Sequence, residues 1–234
     1  KAGQSEKTMT EGVPRFQELL NATRTQKIVN HKIFFTHGTS SVKELRPIVS
    51  NRIAGISLSD LTNKCEVFIE NVNEVWHKPY QLMYPPPFTE LSSFIRVHLK
   101  KSAIFEYKIS ERQIAERIEN EYDDIYCIVS PFCYIDIFVD TTNISSLIDN
   151  DIAYVTSENA MEIYIEDVVE PNLMKLHICG IPSISEIFYS SEKKEWFVET
   201  NASNSEPTKV NNLQQIMSLE DVDDTRTVSN NIWE

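Results

Sequence analysis

A chain of 234 residues with a net charge of −13 repels nucleic acid over most of its surface, which argues against an autonomous DNA-binding protein and favours basic partners. Hydrophobic content of 41% with 24% charged residues is that of a globular chain able to bury a real core as one large or two small domains. No apolar run reaches the roughly 18 residues of a membrane span, and Lys1 to Glu11 is too polar for a signal peptide.

In chain order, Thr10 or Glu11 caps a helix whose first turn holds Pro14, where a missing N–H costs nothing. Phe16, Leu19, Leu20 and Thr23 recur at helical spacing, so this helix is expected to bury one face and to turn Arg15, Gln17, Glu18 and Asn21 outward. Lys27 to Thr36 reads as a strand through Ile28, Val29, Ile33, Phe34 and Phe35. A second helix follows from Ser40 or Ser41 through Val42, Leu45, Ile48, Val49 and Ile53, with Pro47 in its first turns or kinking it and Gly55 as its stop. Cys65 to Glu70 alternates as a strand. Asn71 to Thr89, with Trp76, Tyr80 and Pro85-Pro86-Pro87, reads as an extended connection whose aromatics either meet a partner or pin the loop to its own domain.

From Phe94 the pattern becomes regular. Phe94, Arg96 and His98 alternate with Ile95, Val97 and Leu99 as a half-buried strand. Ser110-x-x-Gln113 is a capping box opening a helix with Ile114, Ala115, Ile118 and Tyr122 on one face. Ile125 to Val129 and Cys133 to Val139 form two strands joined at Ser130-Pro131. Asn143 to Tyr154 gives no clear pattern. Ser157 caps a helix with Ala160, Met161, Ile165, Val168 and Val169 inward, ending before Pro171. Met174 to Cys179 and Ile184 to Tyr189 are further strands. From Phe94 to Tyr189 the order is therefore strand, helix, strand, strand, helix, strand, the split βαβ arrangement. Glu195 to Thr200 is a last strand, Asn211 or Asn212 caps a short helix, and Asp221 to Glu234 reads as the start of another.

The chemistry-bearing residues are scattered. Cys65, Cys127, Cys133 and Cys179 lack zinc-ligand spacing and behave as small hydrophobes, and their usage fits a reducing compartment. His31, His37, His77, His98 and His177 show no nucleophile or His-x-x-x-His pattern. The acidic clusters Glu119, Glu121, Asp123, Asp124 and Glu220, Asp221, Asp223, Asp224 read as solvated helix-end acids rather than magnesium sites.

Two stretches carry a family resemblance. Ala2-Gly3, then Thr10-Glu11-Gly12-Val13-Pro14-Arg15 and Glu18-Leu19-Leu20-Asn21, resembles the end of the trigger loop and the helix after it in the largest subunit of multisubunit DNA-dependent RNA polymerases, closest to the RNA polymerase II type. Gly180-Ile181, Glu195-Trp196-Phe197-Val198-Glu199-Thr200-Asn201, Asn212-Leu213, Val222-Asp223-x-Thr225-Arg226-Thr227 and Ser229-Asn230 are similar, in the required order, to the segment where the jaw of that subunit returns to the cleft. Phe94 to Leu99 and Gln113 to Ile118 resemble the strand and helix that open the jaw. The resemblance covers nearly the whole chain; it departs in the 71–89 loop and at Ser203 to Val210.

It implies an α+β fold in which a split βαβ-like jaw with an antiparallel sheet is inserted in a partial cleft module. The implied parts are a trigger-loop tail and cleft portion at 1–92, the jaw at 93–190 and a return to the cleft at 191–234. The catalytic residues and the magnesium of the parent enzyme would lie upstream of Lys1, so no catalytic or metal-binding residue maps onto this chain. The implied role is to support the trigger loop and line the downstream DNA channel, with other polymerase subunits and duplex DNA as partners and no membrane. Arg15, Arg24 and Lys27 are the implied phosphate contacts, binding without base specificity; Arg96, Lys100 and Lys101 form a second basic group, read equally as an outward face. Richness in Ile and Asn is compatible with a large DNA virus, whose enzyme would work in the host cytoplasm or virion; a cellular one would be nuclear. The other reading is a free-standing acidic α+β interaction module.

Overall fold

The computed structural model describes residues 13–22, 28–37, 41–69, 74–83, 93–123, 125–139, 160–192, 195–203 and 212–231. The fold is α+β with antiparallel sheets. Two compact units divide the chain, one built from Lys1–Leu45 with Ser183–Glu234 and the other from Arg46–Pro182. The second unit begins well before residue 93, because a strand expected to lie with the cleft portion pairs into the body's main sheet.

The first unit contains α1 (Val13–Leu20), β1 (Ile28–Ile33), β8 (Ile184–Glu192), β9 (Glu195–Ser203), α9 (Asn212–Met217) and β10 (Val228–Ser229). Its sheet has the order β10-β1-β9-β8. β1 alternates as a half-buried strand should, with Val29, His31 and Ile33 buried and Lys32 exposed. It pairs antiparallel with β9 along its full length, from Ile28 opposite Ser203 to Ile33 opposite Val198. The helix α1 departs from expectation: Phe16, Leu19 and Leu20 are 63%, 48% and 69% exposed. Helical spacing fixes which side chains share a face, but only tertiary packing buries it. Asp221 to Asn231 also departs, forming turns and the short β10 rather than a helix.

A helix, α2 (Val42–Arg52), holds Pro47 in its interior and buries Leu45 and Val49; it crosses from the first unit's residues into the second's. The second unit continues with β2 (Ile56–Ser57), α3 (Leu58–Leu61), β3 (Thr62–Phe68), a 3-10 turn (Val75–His77), α4 (Lys78–Met83), β4 (Phe94–Leu99), α5 (Lys101–Tyr107), α6 (Glu111–Glu121), β5 (Ile125–Val129) and β6 (Tyr134–Val139). It ends with α7 (Ala160–Ile163), a π-helical stretch (Tyr164–Val169), α8 (Glu170–Met174) and β7 (His177–Cys179). The capping box at Ser110 forms as expected: Gln113 N–H donates to Ser110 Oγ at 3.2 Å and Ser110 N–H to Gln113 Oε1 at 2.9 Å. Ile114, Ala115 and Ile118 of α6 are buried in the main core with Ile95, Val97, Ile135 and Ile137.

The main sheet has the order β3-β4-β6-β5, every pair antiparallel. β4, α6, β5 and β6 form the expected split βαβ unit, with β6 between β4 and β5. The strand on the far side of β4 is β3, whereas the expected arrangement would have used β7; β7 pairs with β2 instead. The seam between β2 and β7 depends on Gly180, whose φ is +79°. A Cβ there would lie 1.7 Å from the Ala54 carbonyl oxygen, so only glycine fits.

Two expected boundaries move. The helix before β7 does not stop at Pro171 but runs on to Met174. A proline in a helix interior removes a hydrogen bond and clashes with the preceding turn; the wide π turns before it, closed by Glu170 N–H donating to Ile165 O, absorb that mismatch. The 71–89 connection is likewise not extended where it is described: 75–83 is helical. The triple proline, the 143–154 stretch, Ser157 and the insertion from 204 onward lie outside the described residues.

Candidate functional site

Two constellations stand out, one in each unit. The first is built by the residues that carry the C-terminal resemblance. Asp223 Oδ1 accepts from Thr225 N–H at 3.1 Å and from Thr225 Oγ1 at 2.6 Å, which folds the 223–226 turn. The turn presents Arg226 to Glu195 as a bidentate pair, with Nη1 to Oε1 at 2.8 Å and Nη2 to Oε2 at 2.7 Å. The guanidinium lies 4.4 Å over the Phe34 ring, which stacks on Phe197 at 5.1 Å. Backbone bonds complete the clasp: Asp223 N–H donates to Phe34 O at 2.8 Å, and Phe34 N–H to Thr227 Oγ1 at 3.2 Å. Asn30 and Asn230 exchange bonds, Asn230 N–H to Asn30 O and Asn30 N–H to Asn230 Oδ1, both at 2.9 Å. Deeper in the sheet His31 Nδ1 meets Thr200 Oγ1 at 3.1 Å, with both residues buried. Arg226 holds the Glu195 carboxyl below its usual range by hydrogen bonding.

The second constellation is one face of the main sheet, where strand register lays side chains in rows. Phe68, Phe94, Phe138 and Tyr126 stand in register across β3, β4, β6 and β5. Phe68 stacks on Phe94 at 4.8 Å, and Phe94 lies 4.9 Å from Phe138. The next row is Glu66, Arg96, Asp136 and Ile128, and beyond it stand Lys64, His98 and Tyr134.

Asp136 is fully buried and accepts three charged or polar donors. Arg96 Nε reaches Oδ1 and Nη2 reaches Oδ2, both at 2.8 Å, while His77 Nε2 lies 2.9 Å from Oδ2. These bonds push the Arg96 guanidinium above its ordinary pKa. Arg96 also lies over Tyr134 at 4.4 Å and has Glu74 at 3.5 Å. Trp76, His77 and Tyr80 cover this face, packing against Phe94, Ile128 and Phe138. His77 Nδ1 and Trp76 Nε1 are buried with no hydrogen-bond partner among the described residues. The last row stays open: His98 Nε2 and Glu66 Oε2 are 2.8 Å apart, Lys64 also binds Glu66, and these hydrogen bonds, the one from Lys64 first, hold the Glu66 carboxyl below its usual range.

Neither constellation holds an exposed nucleophile poised beside a base. All four cysteines are free. Burial pushes the thiols of Cys65 and Cys179 up to about 11 and those of Cys127 and Cys133 upward as well, which favours the thiol over the thiolate. Among the described residues no group of three or more His, Cys, Asp or Glu side chains gathers as a metal site, and no helix is long and apolar enough to cross a membrane.

Of the expected phosphate contacts, Arg24 and Lys27 lie outside the described residues, and only the backbone of Arg15 is described, in α1. Arg96, placed by sequence in a second basic group, turns inward to Asp136. Lys100 is exposed and donates to the Asp60 carbonyl at 3.1 Å. The acidic clusters act locally: Glu119 accepts from Cys127 N–H at 2.7 Å, capping the edge strand β5, and Asp223 organises a turn rather than a helix end. No local pattern marks the His77–Asp136–Arg96 network, whose partners are 40 and 59 residues apart. No protein-family model matches the chain.

Proposed function

We propose that this chain is the jaw and adjoining cleft portion of the largest subunit of a DNA-dependent RNA polymerase, and that it supports the trigger loop and lines the downstream DNA channel. The observation that supports the reading is the clasp between β1 with Phe34 and the C-terminal stretch that carries the second match; α1, which carries the first, takes no part in it among the described contacts. The residues that carry the C-terminal resemblance, Glu195, Thr200, Asp223, Thr225, Arg226 and Asn230, are the ones that bind β1, Phe34 and one another. A split module closed in this way suits a body of about 140 residues inserted between its halves, as the resemblance requires. The chain's own contribution is mechanical. Arg15, Arg24 and Lys27 supply sequence-independent phosphate contacts to duplex DNA, while catalysis and its magnesium belong to parts of the parent subunit outside this chain.

The test is elongation by the purified parent enzyme carrying Arg15→Ala and Arg24→Ala. The reading expects weaker elongation and a shallower dependence on salt. Elongation and salt dependence unchanged in both variants would remove the DNA-facing assignment. A second reading, an acidic protein-interaction module unrelated to transcription, draws on the exposed apolar residues of α1, and it expects no RNA synthesis to accompany the native protein.

A further inference from the structure

The ten residues from Glu74 to Met83 are docked on the aromatic face of the main sheet in an unusual way. Trp76, His77 and Tyr80 point inward, whereas Val75, Leu82 and Met83 are 78%, 89% and 81% exposed on the outside. A six-residue helix is far shorter than the roughly 12–15 residues that hold a helix in isolation, so α4 is helical only while it is docked. Its 3-10 start has no side-chain cap, unlike the fully boxed α6. Docking leaves two polar atoms, His77 Nδ1 and Trp76 Nε1, buried without partners among the described residues. Each such orphan weakens the docked state.

The sheet beneath has polar contacts of its own that do not involve this segment. Asp136 takes a bidentate bond from Arg96 through atoms within the sheet, and Arg96 lies over Tyr134. With the segment away, Asp136 and Arg96 still face each other as a pair, and the apolar row of Phe68, Phe94 and Phe138 is uncovered.

We propose that residues 74–83 form a cover, anchored by the His77–Asp136 contact, that opens while the sheet stays folded and exposes Phe68, Phe94 and Phe138 beside the Arg96–Asp136 pair. Local opening of this kind is read by native-state amide exchange. In the intact 234-residue chain, the amides of 80–83 are expected to exchange at least tenfold faster than those of β4 and β6. His77→Ala is expected to speed exchange in 80–83 a further fivefold or more, with β4 and β6 changed by less than twofold. His77→Gln, which keeps a donor facing Asp136, is expected to stay within twofold of the parent and serves if the alanine variant does not fold. Exchange of 80–83 in step with β4 and β6 overturns the proposal, as does an unchanged 80–83 rate in His77→Ala or a parallel acceleration of the sheet.

Discussion

Replacing Asp136 by alanine removes the acceptor of three bonds of 2.8–2.9 Å from a fully buried position. Taking one partner out of a buried ion pair typically costs about 3–5 kcal/mol, because the remaining charge stays buried without compensation. Here the Arg96 side chain is 12% exposed and has Glu74 at 3.5 Å in reserve, which places the expected loss near ~3 kcal/mol, the lower end of that range. Asp136→Asn keeps one acceptor and loses the charge, so it is expected to cost about 1.5–3 kcal/mol. The pair Arg96→Met with Asp136→Leu leaves no charge behind and is expected to recover most of the loss. Urea unfolding followed by circular dichroism measures all three. A single Asp136→Ala variant within about 1 kcal/mol of the parent would refute the view that this carboxylate is a buried keystone.

Gly180→Ala forces a Cβ against the Ala54 carbonyl at a positive φ and is expected to cost about 2–4 kcal/mol, read by the same unfolding curves. Ser110→Ala removes the cap of α6 and is expected to cost about 1 kcal/mol, with Ser110→Gly costing less. Burial lowers the pKa of His177, helped by Arg117, so the folded state favours the neutral ring. Stability is therefore lower at pH 5 and rises with pH until it levels off above the ordinary histidine value of about 6.5; His177→Gln should flatten that rise, as measured by unfolding at pH 5 and 7.5. Because Arg226 lowers the Glu195 pKa, that pair stabilises the clasp above the ordinary carboxylate range and loses its effect as pH falls through the lowered value. Arg226→Ala should remove this acid sensitivity from the β1–β10 amides in hydrogen exchange.

Local signals in the sequence were reliable where one short stretch decides the outcome. The capping box at Ser110 and the hairpin turn at Ser130-Pro131 depend on neighbours a few residues apart, and each forms as read; Phe94 to Leu99 is a strand as read, but Phe94 is fully buried, so it is not half-buried. The helix α5 carries no clear sequence signal, because it follows β4 directly and its apolar residues, Ala103, Ile104 and Tyr107, are only half buried. Other errors came from choices that only long-range packing makes. Periodicity placed Phe16, Leu19 and Leu20 on one face but could not say whether anything covers it. Strand patterns could not tell whether β3 or β7 would sit beside β4, since both alternate well enough. Pro171 reads as a helix stop unless a π turn precedes it, and nothing local announces one. Arg96 reads as a surface cation because its partner, Asp136, is encoded in the middle of another apolar strand. For the clasp, the resemblance named Glu195 and Arg226 without linking them; their bidentate contact emerged only from the folded chain.

The most direct test of the account is affinity isolation of the native protein containing this sequence, followed by its mass and a DNA-templated RNA synthesis assay. The proposal predicts a chain several times longer than 234 residues, co-isolated with other subunits and making RNA in a magnesium-dependent reaction. A free chain of about this length, isolated without partners and without RNA synthesis, would contradict it.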